Sequence, residues 1–191
     1  MNEWLMKDPR RTRRLVSTLY EEQQRRSITY QNRPIPTFPR PCFITKRQYS
    51  NISASARTLM ACAERVIDAY MRDERVRKTV GLEGLEHRFA SMECGYRPRV
   101  QVARPDGFLH GAWLRFLEFN ADSPAGVAWT DLHEQLFLEQ KHMAPLASRL
   151  GRSMCRKIHS EALLSAYEQF SGGSEKPSIA IVDWKEVTTR I

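Results

Sequence analysis

The stretch Leu114-Arg115-Phe116-Leu117-Glu118-Phe119-Asn120-Ala121-Asp122-Ser123-Pro124-Ala125-Gly126 limits what this chain can fold into more than any other segment. It reads as a hydrophobic strand that ends abruptly in oxygen-bearing side chains and then a Pro/Gly turn. Strict alternation along a strand puts Leu114, Phe116, Glu118 and Asn120 on one side. A core has little use for two apolar residues followed by two hard oxygen donors on the same face. A buried carboxylate needs a partner, because leaving it unpaired is costly or shifts its pKa. A Mg²⁺ ion suits it, since Mg²⁺ takes a few protein oxygens and completes its shell with water and phosphate. Spacing alone leaves another assignment open. Glu118 can pair with a nearby Arg, and Asn120 to Ser123 can form a turn held by local side-chain to backbone bonds.

The rest of the chain alternates helical and extended patterns. Residues 10 to 26 read as a helix with Leu15 and Leu19 on a short apolar stripe. Four prolines, Pro34, Pro36, Pro39 and Pro41, force an extended connector whose Ile35, Phe38 and Phe43 want cover. Residues 51 to 77 give the cleanest helical period, through Ile52, Ala56, Leu59, Met60, Ala63, Val66, Ile67 and Tyr70, with Ser50 or Asn51 as the N-cap. Residues 99 to 104 alternate as a strand, Pro105-Asp106-Gly107 reads as a turn, and residues 112 to 119 form the second arm of a hairpin. After Gly126, Thr130 or Asp131 is placed to cap a helix running to about Met143. Residues 153 to 170 read as another helix, with Met154, Ile158, Ala162, Leu163, Tyr167 and Phe170 toward a core.

Ser178-Ile179-Ala180-Ile181-Val182-Asp183-Trp184 follows a Gly-rich loop and fits a strand of a parallel sheet. Ligands of such sheets gather beyond the carboxyl ends of the strands. Only seven residues follow Trp184, so the βαβ unit this strand opens is expected to be cut short. The fold class is therefore mixed α/β: helices around a β-hairpin that carries the Glu-x-Asn strand, with the start of a Rossmann-like parallel sheet at the C-terminus. Three segments are expected: 1–50, basic, helical and Pro-rich; 51–170, an α/β substrate- and metal-side domain; and 171–191, the opening of the Rossmann-like unit.

Charge and cysteine usage narrow the function. The +8 net charge comes from 12 Lys+Arg against 4 Asp+Glu in residues 1 to 60, and the remaining residues carry 18 of each. A basic segment can meet nucleic acid. No binding motif and no regular aromatic interleaving accompany this one, so a solvated or acid-facing helix ranks ahead of it. Cys42, Cys62, Cys94 and Cys155 are scattered and form no Cys-x-x-Cys pair, which removes a zinc or redox motif. The five histidines form no His-x-x-x-His pattern. No apolar run reaches the length of a membrane span and the start has no signal-peptide core, so a cytoplasmic chain without a membrane partner is expected.

Arg104-Pro105-Asp106, eleven intervening residues, and Glu118-Phe119-Asn120-Ala121-Asp122-Ser123 together resemble glutathionylspermidine synthase-like proteins, ATP-grasp ligases of circularly permuted order. More distantly they resemble eukaryotic-type glutathione synthetase. The resemblance covers roughly residues 97 to 140. It implies that Arg104 approaches ATP phosphates and acts in catalysis, while Asp106 serves the nucleotide and, with Glu118 and Asn120, holds Mg²⁺. It implies that Asp122, Ser123, Ala125 and Gly126 lie on the substrate side, toward an amino-acid or peptide-like substrate and an amine. Such enzymes phosphorylate a carboxylate from Mg-ATP and let the amine attack the acyl phosphate. Pro105 and Gly107 flank Asp106, so capping a turn is the other role open to it.

In that family the nucleotide-clamping lobes lie downstream. The chain is accordingly expected to be the N-terminal part of a ligase, inactive alone, or to pair with a second chain supplying the ATP lobes, or to be a degenerate relative. A non-catalytic binding module that keeps the fold is the alternative, and a basic nucleic-acid-binding domain ranks third.

Overall fold

A computed structural model describes residues 5–122, 124–173 and 175–182. Among these residues seven α-helices accompany two separate two-stranded antiparallel sheets, a mixed α/β arrangement. They group into two compact units: the described parts of Met1–Phe43, Gly126–Ile158 and Ser178–Ile191, and those of Ile44–Ala125 and His159–Pro177.

The first unit is organised by α1 (Pro9–Arg25). Pro9 costs nothing in the first turn, where its missing N–H would have had no intrahelical acceptor. Asp8 accepts the N–H groups of Arg10 at 3.0 Å and Arg11 at 3.1 Å. The Leu15/Leu19 stripe does what its period predicts: Leu19 is buried with Ile28, Leu136 and Phe137, edged by Leu15, Ile35, Trp129 and Leu132. Burying each such side chain is worth about 1.5–3 kcal/mol. Arg26 closes the end of α1 by bonding Glu22 at 3.0 Å and Glu139 at 2.5 Å. Strands β1 (Thr29–Tyr30) and β2 (Arg33–Pro34) then make a minimal hairpin over Gln31 and Asn32, whose φ values are 49° and 62°. From there to Thr45 the proline-rich connector holds no regular structure beyond Pro34.

Helix α5 (Val127–Leu138) starts after Gly126, whose φ of 113° suits glycine alone. The expected caps do other work. Thr130 Oγ1 donates back to the Gly126 carbonyl at 2.8 Å. Asp131 faces the far helix instead, accepting Ser153 Oγ and the Cys155 N–H at 2.8 Å and the Arg156 N–H at 3.0 Å. It thereby satisfies the orphan donors that open α7 (Cys155–Ser171). α5 stops at Leu138 rather than Met143, which lies in a 3-10 turn (Lys141–Met143) before the four-residue α6 (Ala144–Ala147). Pro145 sits in the first turn of α6, where proline is tolerated.

In the second unit the long helix begins earlier than its apolar period suggests. α2 (Lys46–Arg72) is capped by Thr45, not by Ser50 or Asn51. Thr45 Oγ1 accepts the Gln48 N–H at 3.1 Å and Gln48 Oε1 accepts the Thr45 N–H at 2.8 Å, a reciprocal capping box. The helix expected to run to residue 77 breaks at Asp73, whose carboxylate accepts the Arg75 N–H at 2.8 Å and starts α3 (Glu74–Val80). α4 (Gly84–Ala90) follows.

Residues 99 to 103 are not a strand. Glu64 of α2 takes the Val100 N–H at 2.7 Å, and the Arg99 guanidinium bonds Asp68 at 2.8 Å, so side chains hold this stretch where a ladder was expected. Nor is Pro105-Asp106-Gly107 a turn. It lies inside β3 (Arg104–His110), which pairs antiparallel with β4 (Trp113–Asn120) around Gly111 and Ala112. Gln48 and Asn51 of α2 bond the Gly111 and Ala112 carbonyls at 2.8 and 3.2 Å, which fixes the turn.

The pairing contains a β-bulge. Asp106 opposes Glu118 but Gly107 opposes Phe116, so Leu117 has no partner. An extra residue resets the alternation of side chains. Leu114 and Phe116 share a face with Leu109 and are half-buried, whereas Glu118 and Asn120 lie on the opposite face with Asp106 and Arg104. The single apolar-then-polar face expected from strict alternation is therefore split in two. Gly107 makes the bulge possible: a Cβ there would come within 2.7 Å of the Arg115 carbonyl oxygen.

α7 departs from expectation as well. Ala166 is buried and Ala162 and Tyr167 are half-buried, but Met154, Ile158, Leu163 and Phe170 are exposed. Ser178–Val182 form no ladder, and no parallel pair exists among the described residues; Asp183 and Trp184 of the expected strand lie outside them. No described helix is long and apolar enough to cross a membrane.

Two substitutions test these contacts. Burial raises the Asp131 pKa, but the hydrogen bonds from Arg156, Ser153 and Cys155 outweigh it and leave the carboxyl below its usual value. Such a group stabilises the fold fully above the ordinary carboxylate pKa and loses that contribution as pH falls through its depressed folded value. Asp131→Ala should cost about 1–2 kcal/mol at neutral pH, and its melting temperature should converge on that of the wild type in acid. Gly107→Ala should destabilise by about 1–3 kcal/mol through the clash with the Arg115 carbonyl, read by denaturant unfolding.

Candidate functional site

The register of the hairpin assembles the site. Arg104 stands opposite Asn120, and Asp106 opposite Glu118. Residues directly paired across antiparallel strands share a face, with Cβ atoms about 4.5–5.5 Å apart. All four side chains thus meet at the open end of β3 and β4, although eleven residues separate Asp106 from Glu118 in the chain. The bulge at Leu117 is what turns Glu118 and Asn120 toward them.

The internal contacts are sparse. Arg104 Nε donates to Asp106 Oδ1 at 3.2 Å, and Arg104 Nη1 donates to the Ala125 carbonyl at 3.4 Å. Asn120 Nδ2 donates to Glu118 Oε1 at 3.4 Å. The Arg104 and Asp106 side chains are 46% and 42% exposed, so their ion pair stabilises little and can be exchanged for another partner. Two carboxylates opposite each other repel, and the guanidinium sits beside only one of them. Among the described residues neither Asp106 nor Glu118 accepts a backbone N–H.

As a donor set, two carboxylates and an amide oxygen match a hard divalent cation such as Mg²⁺. Two features of the present geometry work against immediate binding: Arg104 occupies one Asp106 oxygen, and Asn120 presents nitrogen toward Glu118. Both are removed by side-chain rotation, at the exposed Arg104 and the half-buried Asn120. The amide flip at Asn120 exchanges its nitrogen for its oxygen without moving the backbone. No group of three or more His, Cys, Asp and Glu that could hold a metal ion exists among the described residues, so water and ligand would have to complete any shell here.

The substrate-side residues are less concentrated. Asp122 is exposed in a bend just past β4, and Ala125 is exposed and contributes its carbonyl to Arg104. Ser123 lies outside the described residues. Gly126 falls in the first unit, where it opens α5.

The same face also carries residues that sequence reasoning passed over. Phe108 pairs with Arg115 and His110 with Trp113, continuing the row that starts at Arg104 and Asp106. Phe108 is 66% and Trp113 78% exposed. Only Gly107 hinted at this arrangement, since a glycine within a strand marks a bulge or a close approach of backbone.

Comparison of the chain with protein-family models, with curated proteins and with solved structures found no match in any of the three.

Because Asp106 and Glu118 stand opposite each other with the Arg104 guanidinium bonded to Asp106 alone, Glu118→Gln should leave the ligand-free protein as stable as the wild type or slightly more so, by a few tenths of a kcal/mol. A thermal melt at low ionic strength, where charge repulsion is least screened, is the measurement that checks it.

Proposed function

We propose that this end of the hairpin is the phosphate- and metal-binding part of an ATP-dependent carboxylate–amine ligase of the ATP-grasp type, similar to the glutathionylspermidine synthase-like group. The observation that supports the reading most is the cross-strand register, which sets Arg104 and Asp106 against Asn120 and Glu118 on one exposed face. Arg104 offers a planar fork suited to phosphate oxygens, and a phosphate would replace its present partners, Asp106 and the Ala125 carbonyl. Asp106, Glu118 and the Asn120 oxygen would hold Mg²⁺. When bound, the ion would neutralise charge on the phosphoryl group passed to a substrate carboxylate, the main requirement of phosphoryl transfer. Asp122, Ser123, Ala125 and Gly126 are assigned to an amino-acid or peptide-like substrate and the attacking amine. The proposal includes a Rossmann-like unit opening in 171–191, ATP lobes supplied downstream or by a second chain, and a cytoplasmic setting.

A second reading has one observation in its favour: Arg104 already has partners within the chain, as a non-catalytic module of the same fold would allow. Calorimetric titration of the 191-residue chain with ATP, with and without Mg²⁺, separates the two. The ligase reading expects Mg²⁺-dependent binding that Glu118→Gln weakens by about tenfold or more, the loss of a charge-assisted contact. Binding that ignores both Mg²⁺ and the substitution would refute it. Tight binding of a peptide without nucleotide would favour the module.

A further inference from the structure

Away from the hairpin, the opening turns of α1 carry charge in a place where a helix tolerates it poorly. Arg10, Arg13 and Arg14 lie in the first two turns, and the first turn holds no acidic residue. The amide dipoles of a helix sum to a partial positive charge at that end, so each cation there is disfavoured. α3 and α4 show the favourable arrangement, with Glu74 and Glu86 in their first turns and basic residues in their last. The three guanidinium groups of α1 also repel one another, because Arg13 and Arg14 stand three and four residues after Arg10 and share its face. Ser17 continues that face, on the side of the helix opposite the buried Leu19 and Gln23. All three arginines are exposed, as is Lys7 just ahead of the cap. Among the described residues none of these four cations forms an ion pair, whereas Arg25 and Arg26 at the far end are held by Glu22 and Glu139. Asp8, the nearest carboxylate in the chain, is committed to the N–H groups of Arg10 and Arg11.

We propose that this face of α1 is a docking surface for an acidic segment of a partner protein, one whose carboxylates recur at helical spacing and meet Arg10, Arg13 and Arg14 together. The size of the patch favours such a partner over nucleic acid. Arg10 to Arg14 spans about 6 Å of helix at roughly 1.5 Å per residue. Glu21 then ends the basic run and accepts the Ser17 hydroxyl at 3.0 Å. A phosphate backbone wants a longer track of cations, since its affinity grows with the number of phosphates neutralised, and Glu21 would repel it. Base stacking calls for aromatic rings among the arginines, and the run from Pro9 to Leu19 has none. A second copy of the chain is a poor occupant, because each copy carries a net charge of +8. Carboxylates suit the guanidinium fork, which takes both oxygens of one group. An acidic partner removes the mutual repulsion and the conflict with the dipole at once. The surface belongs to the first unit and is independent of the phosphate reading of the hairpin.

The probe is a fluorescein-labelled, alanine-based helical peptide with glutamates at i, i+3, i+4 and i+7, titrated with the full chain and followed by fluorescence anisotropy. Binding should be measurable at low ionic strength and weaken as salt is added. The triple variant Arg10→Gln, Arg13→Gln, Arg14→Gln should bind the peptide about tenfold or more weakly, the combined loss of three exposed ion pairs. Arg72→Gln, at an exposed arginine of the second unit, should leave binding unchanged. The triple variant should also melt about 2–4 °C above the wild type, because it relieves the helix dipole. No binding at low ionic strength, or equal affinity of wild type and triple variant, would overturn the proposal. So would a lower melting temperature of the triple variant, which would make the arginines a part of the fold. A duplex oligonucleotide or a phosphatidylserine vesicle bound more tightly than the peptide, with the same loss in the triple variant, would overturn it in favour of a phosphate-bearing partner.

Discussion

The β3–β4 pairing, with one residue too many on β4, governs everything of interest on this molecule. A regular hairpin would have sent Glu118 and Asn120 to the same side as Leu114 and Phe116, against the half-buried face. There the carboxylate would have needed a buried partner or would have lost its charge. Leu117 absorbs the extra step, Gly107 admits the close approach of the Arg115 carbonyl, and the polar tip turns outward. The apolar side remains free to pack, and the oxygen-bearing side remains free to bind.

Carboxylates elsewhere in the chain show by contrast what is unusual at that tip. Asp8, Glu64, Asp73, Asp131 and Glu134 each accept at least one backbone N–H, and through it start a helix or pin a loop. Such bonds complete the backbone accounting of a chain whose regular ladders are few and short. Among the described residues Asp106 and Glu118 have no such duty, and their hydrogen-bond partners are the side chains of Arg104 and Asn120. A carboxylate that closes a helix is a structural part. One that leaves lone pairs open on an exposed face, next to another like it and a guanidinium, has capacity left for a ligand.

Packing is uneven in the same sense. The cluster of Leu19, Ile28, Leu136 and Phe137 gives the first unit a small continuous core. In the second unit Tyr70 and Ala166 are the buried apolar side chains among the described residues, and ion pairs such as Arg99 with Asp68 carry part of the load of holding segments together. With Asp68 44% exposed such a pair contributes modestly, and hydrogen bonds between side chains and backbone add to it, among them the Val100 N–H to Glu64 and the Arg97 N–H to Gln169.

Local patterns alone determined much of the outline. The stripes of α1 and α2, the extended proline segment, the break at Gly126 and the second arm of the hairpin follow from periodicity, proline chemistry and glycine conformation, which act within a few residues. Glu118 and Asn120 stood out in one dimension as oxygen donors at the end of an apolar strand, with a structural role equally open to them, whereas Arg104 and Asp106 became candidates through the family resemblance. Long-range pairing decided the rest. Caps went to Thr45 rather than Ser50 or Asn51, and Asp131 served α7 rather than α5, because a carboxylate or hydroxyl bonds whichever backbone donors the fold brings within reach. Residues 99 to 103 were lost from the expected strand to side chains of α2, and Pro105-Asp106-Gly107 entered a strand because its partner was β4. Above all, which face Glu118 occupies depended on a single unpaired residue, and alternation has no memory of a bulge: only the contact between two strands can say where the count of two is broken.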